Sequence, residues 1–460
     1  MGATRALASF VSDLTYDRIP GPVIERLKLC LLDTVGCGLF GSTLRWSTTV
    51  AEFVKNLGGP PESTVWGRDF MVSAPNAALA NGTAVHSFEM DDLHKTSIVH
   101  PGSVVTTAAL ATAEHVGGCA GREFLTAVVA GYEVAVRVGM AVGTSHLRKG
   151  FHPTGTNGTF GAGAAAAKIL NLDAEEITHT LGIAGTQAAG LMAAQYSAMV
   201  KRMHAGRAAQ SGVYGALLAQ RGLTGITNIL EADYGGYCKA MADEGDSRLL
   251  TNRLGDYFEA GDTGFKPYAA GGSTHTAHEA VKSIVQTNLL PADSIDHIRI
   301  RTTTATYHHT SWKYEPEGVT AAQMNMHYVV AVTVLEGNIF IDQFTEEKIA
   351  DAKVIEFSRK VEVVPDEELD RLGPEFRHAV IAEVYTKDGR SFTQRMDTAK
   401  GSSKKPMTVQ EILEKYNLLA GKVLSAEAVS ELRDMVDHLE QIGDMRELAE
   451  GLFHPGQRKM

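Results

Sequence analysis

Apolar residues recur at helical spacing over residues 23–39, where Val23, Leu27, Leu31 and Val35 share a face behind Gly21 and Pro22, a proline suited to a first helical turn. The spacing predicts a helix there. The same period marks 77–88, 104–115, 123–142, 161–170, 174–188 and 198–220, so roughly the first 260 residues read as all-helical. Alanine and glycine crowd these segments, as between Gly161 and Ala167, and small side chains let helix axes approach closely in a buried bundle.

After Gly261-Asp262-Thr263-Gly264 the texture changes. Residues 297–304 alternate around Ile298 and Ile300, 361–364 are β-branched, and 379–385 face 391–396 across the turn Lys387-Asp388-Gly389. Helical patterns at 274–285 and 321–335 lie among these strands without steady βαβ alternation, which reads as α+β. Past the linker-like run from Gly401 to Pro406, helices return at 409–416, 426–439 and 445–452. The expected fold is mainly α. It has a large all-helical domain over 1–263, an inserted smaller α+β lid domain over 264–400, and C-terminal helices over 401–460 that return to the first domain. No internal repeat suggests a solenoid.

Composition narrows the function. With 460 residues, 44% apolar and 21% charged, the chain is an ordinary folded one. Its 43 basic residues against 54 acidic ones give a net charge of −11, which disfavours nucleic acid and anionic lipid as partners and confines any anion to a local pocket. Cys30, Cys37, Cys119 and Cys238 form no C-x-x-C pair and suggest reduced thiols, hence a cytoplasmic protein. No run of 18 uninterrupted apolar residues suggests a membrane span, and no basic-then-apolar leader with a cleavage site opens the chain; Asp13 and Asp17 also speak against a transit peptide.

Cofactor motifs are missing: there is no Walker pattern, no Gly-x-Gly-x-x-Gly between strand and helix, and no Gly-x-Ser-x-Gly elbow. Four other clusters carry chemistry. Glu89, Asp91, Asp92, His94 and His100 offer ligands for a divalent metal, but their spacing is weak and no second cluster follows, so helix capping by the aspartates is the preferred reading. His100 and His152 each precede a proline and a helix, which would hold them rigid. At about 100° per residue, Lys201, His204, Arg207 and Ser211 fall within an arc of about 120°. Their flanks are Ala, Gly and Met, which favours a cavity lining over a solvated face. Lys266 stands at the expected hinge beside Gly271 and Gly272. Together these clusters point to a small polycarboxylate substrate held by charge-assisted hydrogen bonds, with proton transfer by histidine or lysine.

At these residues the chain resembles the MmgE/PrpD family, whose members include 2-methylcitrate dehydratases, cis-aconitate decarboxylases and iminodisuccinate epimerases. The matching segments span nearly the whole chain: Asn81 to His86, Asp91-Asp92, His100, Gly150 to His152, Met199 to Arg202, Asp233 to Tyr237, Lys266 to His275, and Gln323 to Tyr328. Gln195-Tyr196, Tyr234-Gly-Gly236 and Ala322 to Met324 are most similar to fungal-type cis-aconitate decarboxylases. Glu89 and Leu93 depart from the Asp and Thr of some animal-type decarboxylases, and Gly271 stands where those carry a histidine.

The resemblance implies a homodimer with an active site between its domains and no metal or organic cofactor. It assigns acid–base roles to His100 and His152, makes Lys201 the catalytic lysine and Tyr328 a tyrosine supplied by the lid, and gives Asp92, Lys266 and His275 pocket or carboxylate-binding roles. His204 and Arg207 join the binding set from the Lys201 face. In this reading Lys201, Lys266 and Arg207 or His275 clamp carboxylates, while His100 and His152 move the proton. The activity is then lyase chemistry, either cis-aconitate-type decarboxylation or 2-methylcitrate-type dehydration. The alternatives are an epimerase of an amino- or imino-dicarboxylate and a non-catalytic carboxylate-binding protein.

Overall fold

The computed structural model describes residues 2–453, so 454–460 of the expected C-terminal segment lie outside the described residues. The protein is mainly α. Helices Gly21–Ser42, Ala74–Val85, Gly121–Arg148, Pro153–Ile169 and Val200–Gln220 form the centre of the larger unit. Their glycines explain the packing. A Cβ on Gly161 would come 2.5 Å from the Gly131 carbonyl, and one on Gly206 would come 2.1 Å from that of Leu79, so these helix pairs touch backbone to backbone.

Gly121–Arg148 is the one helix among the described residues long and apolar enough to cross a membrane, yet 94% of its most apolar stretch is buried inside the protein. It is a core helix. Its buried Arg137 pairs with Glu133 at 2.9 Å and also donates to the carbonyls of Asn252 and Tyr257, which pins the loop below it.

The structure corrects the sequence reading in several places. Ser63–Thr64 and Met71–Val72 form a short antiparallel pair inside the region expected to be wholly helical. Helices Ala3–Asp13 and Arg45–Leu57 escaped the pattern because each buries only a narrow stripe, partly of small or polar residues such as Thr4, Ala8, Ser47 and Ala51. The expected helix over 321–335 is two, Val319–Met324 and Met326–Glu336. They are separated by extended Asn325, whose side chain accepts from the Tyr328 N–H and caps the second.

The strands form one four-stranded sheet in the order Val361–Pro365, Ile295–Thr302, Val380–Thr386, Ser391–Met396, the first pair parallel and the others antiparallel. Ile295, Ile298 and Ile300 face the core, where helices His275–Thr287 and Met326–Glu336 cover the sheet.

Two chain crossings join this unit to the helical one, side by side. Leu93 and Gly264 exchange backbone hydrogen bonds of 3.0 Å in both directions, and Phe265 N donates to the Gly401 carbonyl at 2.9 Å. Gly401 has φ 92°, and a Cβ there would lie 1.8 Å from the Phe265 oxygen, so the crossing requires glycine. Beyond it, helix Val409–Ala420 packs on Gly21–Ser42, and Lys415 pairs with Asp33 at 2.6 Å.

Candidate active site

Helix Ala74–Val85 ends in a tight turn at His86–Phe88, after which Glu89 adopts a left-handed backbone, φ 58° and ψ 30°. A side chain in that conformation costs of order 1 kcal/mol or more and persists where its surroundings fix it. Here they do. The buried Glu89 carboxylate is bound by the Lys201 ammonium, by Arg202 Nη1 at 2.6 Å and by Lys266 Nζ at 3.0 Å. Burial alone would raise its pKa, but the charges of Lys201, Lys266 and Arg202 outweigh that and hold it well below the carboxylate range. Burial pulls Lys201 down to about 8 against the opposing pull of Glu89.

A cluster of imidazoles lies beside this centre. Asp91 accepts from His86 Nδ1 at 2.7 Å with one oxygen, and its other oxygen lies 3.2 Å from His100 Nδ1. Burial pushes His86 down to about 4, and the close contacts with His100 and His86 outweigh burial at Asp91 and hold its pKa well below the usual carboxylate range. The His86 ring lies 5.0 Å from that of His100 and 5.3 Å from that of His152.

Local sequence sets these positions. His152 caps helix Pro153–Ile169 with proline in the first turn, and its N–H donates to the Gly190 carbonyl at 3.0 Å. His100 N donates to Thr154 Oγ1 at 3.2 Å, and the chain after it winds as a π-turn over Gly102–Thr106, a form common at functional sites. Burial and the nearby Lys201 push His152 well below the usual histidine value.

His100, His152, Lys201 and Lys266 all line one cavity of about 60 Å³, together with Glu89, Leu93, Ile98, Met192, Ser273, His309, Met324, Arg377 and His378. It lies between the two units. Leu147, Met192, Ser273, His309 and Arg377 also line a wider cleft of about 590 Å³, which makes that cleft its antechamber. Gln323 holds the inner wall: its amide donates to the carbonyls of Phe88 and Ala269, both at 2.9 Å, and its oxygen accepts from Arg202 at 2.7 Å.

The structure therefore brings four of the expected residues together and sets five apart from the cavity lining. Tyr328 lies in the core of the sheet-containing unit between Tyr314 and Phe344, its hydroxyl donating to the Gln343 carbonyl, because the cap at Asn325 fixes that helix face. Asp92 points behind the wall, accepting from Gly102 N at 2.9 Å and the Tyr132 hydroxyl at 2.8 Å, and burial raises it to about 8. His204 stands behind His152, with Nδ1 atoms 3.1 Å apart. Arg207 is exposed and donates to Gln210, since six residues at about 100° each carry it about 120° round the helix from Lys201. His275 donates from Nε2 to the Ala270 carbonyl at 2.9 Å and lines a separate cavity of about 50 Å³.

The metal cluster considered from sequence does not converge as a set. Glu89 faces cations, Asp92 faces Tyr132, and His94 bonds Ser97. His86, Asp91 and His100 do offer ligand atoms within 4.8 Å of one another. They are engaged in the carboxylate–imidazole contacts just described.

Sequence reasoning passed over His86, Arg202, Ser273, His309, Arg377 and His378 as site residues. His86 and Arg202 stand in runs singled out for resemblance. Ser273 lies inside the run Lys266 to His275, also singled out, whereas His309, Arg377 and His378 lie outside every such run.

Fold and site define a mainly helical protein with an α+β second unit and a cationic, histidine-rich cavity between them. The chain belongs to the MmgE/PrpD family: the family's N-terminal domain matches residues 5–249 and its C-terminal domain residues 268–441. It is 30% identical to a cis-aconitate decarboxylase of Aspergillus terreus over 99% of this chain and 96% of that one. It is 31% identical to the cis-aconitate decarboxylase of Homo sapiens over 96% and 92%. A mitochondrial 2-methylcitrate dehydratase of Yarrowia lipolytica is 24% identical over 83% and 76%.

Proposed function

We propose that the protein is a cofactor-independent lyase that decarboxylates a small tricarboxylate of the cis-aconitate type. One observation carries this reading. Lys201, Arg202 and Lys266 share a single carboxylate, Glu89, on the wall of a cavity that also presents His100 and His152. Burying an ion costs several kcal/mol unless it is matched, so the surplus positive charge calls for an anionic guest.

With the guest bound, the carbon–carbon bond to one carboxyl group breaks and its electron pair forms a new double bond. The old double bond's pair takes a proton at its far carbon. A trianion plus one proton gives a dianion plus CO2. Lys201, protonated at neutral pH with its pKa lowered to about 8, supplies that proton, and the neutral His152 with His204 behind it returns one from outside. Leu93, Ile98, Met192 and Met324 give the lining apolar surface suited to a departing CO2.

A cavity of about 60 Å³ holds a few waters and no six-carbon acid. Residues 264–400 therefore act as a lid that opens about the paired crossings at Leu93, Gly264 and Gly401. The described residues of 1–263 and 401–460 form the base. Exposed Val200, Tyr214 and Leu218 on one helix face support a homodimer. The four free thiols fit a cytoplasmic setting.

The test is turnover of cis-aconitate, 2-methylcitrate and iminodisuccinate, followed by mass spectrometry. Cis-aconitate is expected to lose CO2. His100→Ala, His152→Ala and Lys201→Ala are each expected to lower kcat by about 10² or more. Near-wild-type turnover in both histidine variants would end the assignment.

A further inference from the structure

The cavity has a second cationic pole that none of the chemistry above uses. Arg377 Nε donates to His378 Nε2 at 3.1 Å, and Ser273 Oγ lies 3.2 Å from that same nitrogen and 3.0 Å from His309 Nδ1. Since His378 Nε2 already accepts from Arg377, the serine hydroxyl is assigned as donor to His309 Nδ1. That leaves the proton of His309 on Nε2, which is buried and has no hydrogen-bond partner. Burial holds His309 near 4 and His378 well below the usual histidine value, so both rings are neutral.

No carboxylate among the described residues pairs with Arg377. Asp370 shares the outer cleft, but it is bound by Thr304 N at 2.9 Å and Thr304 Oγ1 at 2.6 Å. Glu375 is taken by Lys404, and the other nearby charge, Lys95, is positive and donates to the Glu375 carbonyl. Burial pulls the Arg377 guanidinium down to about 10 with no opposing anion. A guanidinium in that state is destabilising by itself and matches a carboxylate in bidentate geometry.

We propose that Arg377, with Ser273 and the free Nε2–H of His309, forms a second carboxylate subsite. It holds the carboxylate that the Lys201–Lys266 pole does not reach. It selects tricarboxylates over dicarboxylates, and its place at the junction of cleft and cavity makes it the first group an incoming acid meets. This rests on the reading that the cavity takes a polycarboxylate.

Calorimetric titration of wild type, Arg377→Met and Arg377→Lys with tricarballylate and with glutarate tests it. Arg377→Met is expected to weaken tricarballylate about 100-fold and glutarate less than about 3-fold, with Arg377→Lys losing about 10-fold for the tricarboxylate. Ligand-free Arg377→Met is expected to melt no lower than wild type, because an unmatched charge has gone, and to lose most of the Tm rise that tricarballylate gives wild type. Equal weakening of both acids, or none, overturns the subsite alone. Wild type that binds neither acid overturns the polycarboxylate reading and the subsite with it.

Discussion

The Nδ1 of His86 lies 2.7 Å from one oxygen of Asp91, whose other oxygen lies 3.2 Å from the Nδ1 of His100. One buried carboxylate thus hydrogen-bonds the His86 ring and stands within ion-pair distance of the His100 ring. Asp91→Asn keeps the volume but replaces one acceptor oxygen by a donor. We expect kcat to fall by about 10² to 10⁴ with little change in KM, by analogy with other carboxylate-oriented histidines. Steady-state kinetics beside an unchanged circular-dichroism spectrum checks it.

Glu89 is the only carboxylate paired with Lys201, Arg202 or Lys266 among the described residues. Glu89→Gln leaves three buried cations facing a neutral amide. Breaking a buried pair in this way costs about 3–5 kcal/mol, measured by denaturant unfolding. A polycarboxylate is expected to raise the Tm of the variant more than that of wild type, because it restores the missing charge.

Lys201 sets the alkaline limb. Its pKa falls from the ordinary 10.5 to about 8, so its ammonium form is lost as pH rises through about 8. We expect kcat/KM to drop about tenfold per pH unit above that point. The folded state binds fewer protons than the unfolded one between about 8 and 10.5, so this group makes stability rise with pH across that window. A kcat/KM profile flat to pH 10 would contradict the role.

Much of the architecture was legible in the chain. Strong helical period marked residues 23–39, and β-branched alternation with the turn Lys387-Asp388-Gly389 marked the hairpin that pairs Val380–Thr386 with Ser391–Met396. Local signals also found His152, through the proline after it, and Lys201, through its setting of small residues. What stayed hidden depends on tertiary geometry. The arc from Lys201 to Arg207 was wider than the cavity, so its far member reached solvent. Asp91 and Asp92 are neighbours in sequence, yet one orients imidazoles and the other binds Tyr132. Ser273, His309 and Arg377 are far apart in sequence and meet only through the tertiary fold of the sheet-containing unit.

Chelation bears on the His86, Asp91 and His100 cluster. Its carboxylate is already engaged by both rings, so prolonged EDTA treatment is expected to leave turnover unchanged. Activity lost to chelator and restored by a divalent ion would place a metal on those residues.

The most direct measurement is turnover of cis-aconitate in D2O, followed by NMR of the products together with CO2 quantification. Our account predicts one CO2 per substrate consumed and one deuterium in the dicarboxylate, on the carbon at the far end of the original double bond. Deuterium entering recovered substrate without loss of mass as CO2, or no turnover at all, would contradict it.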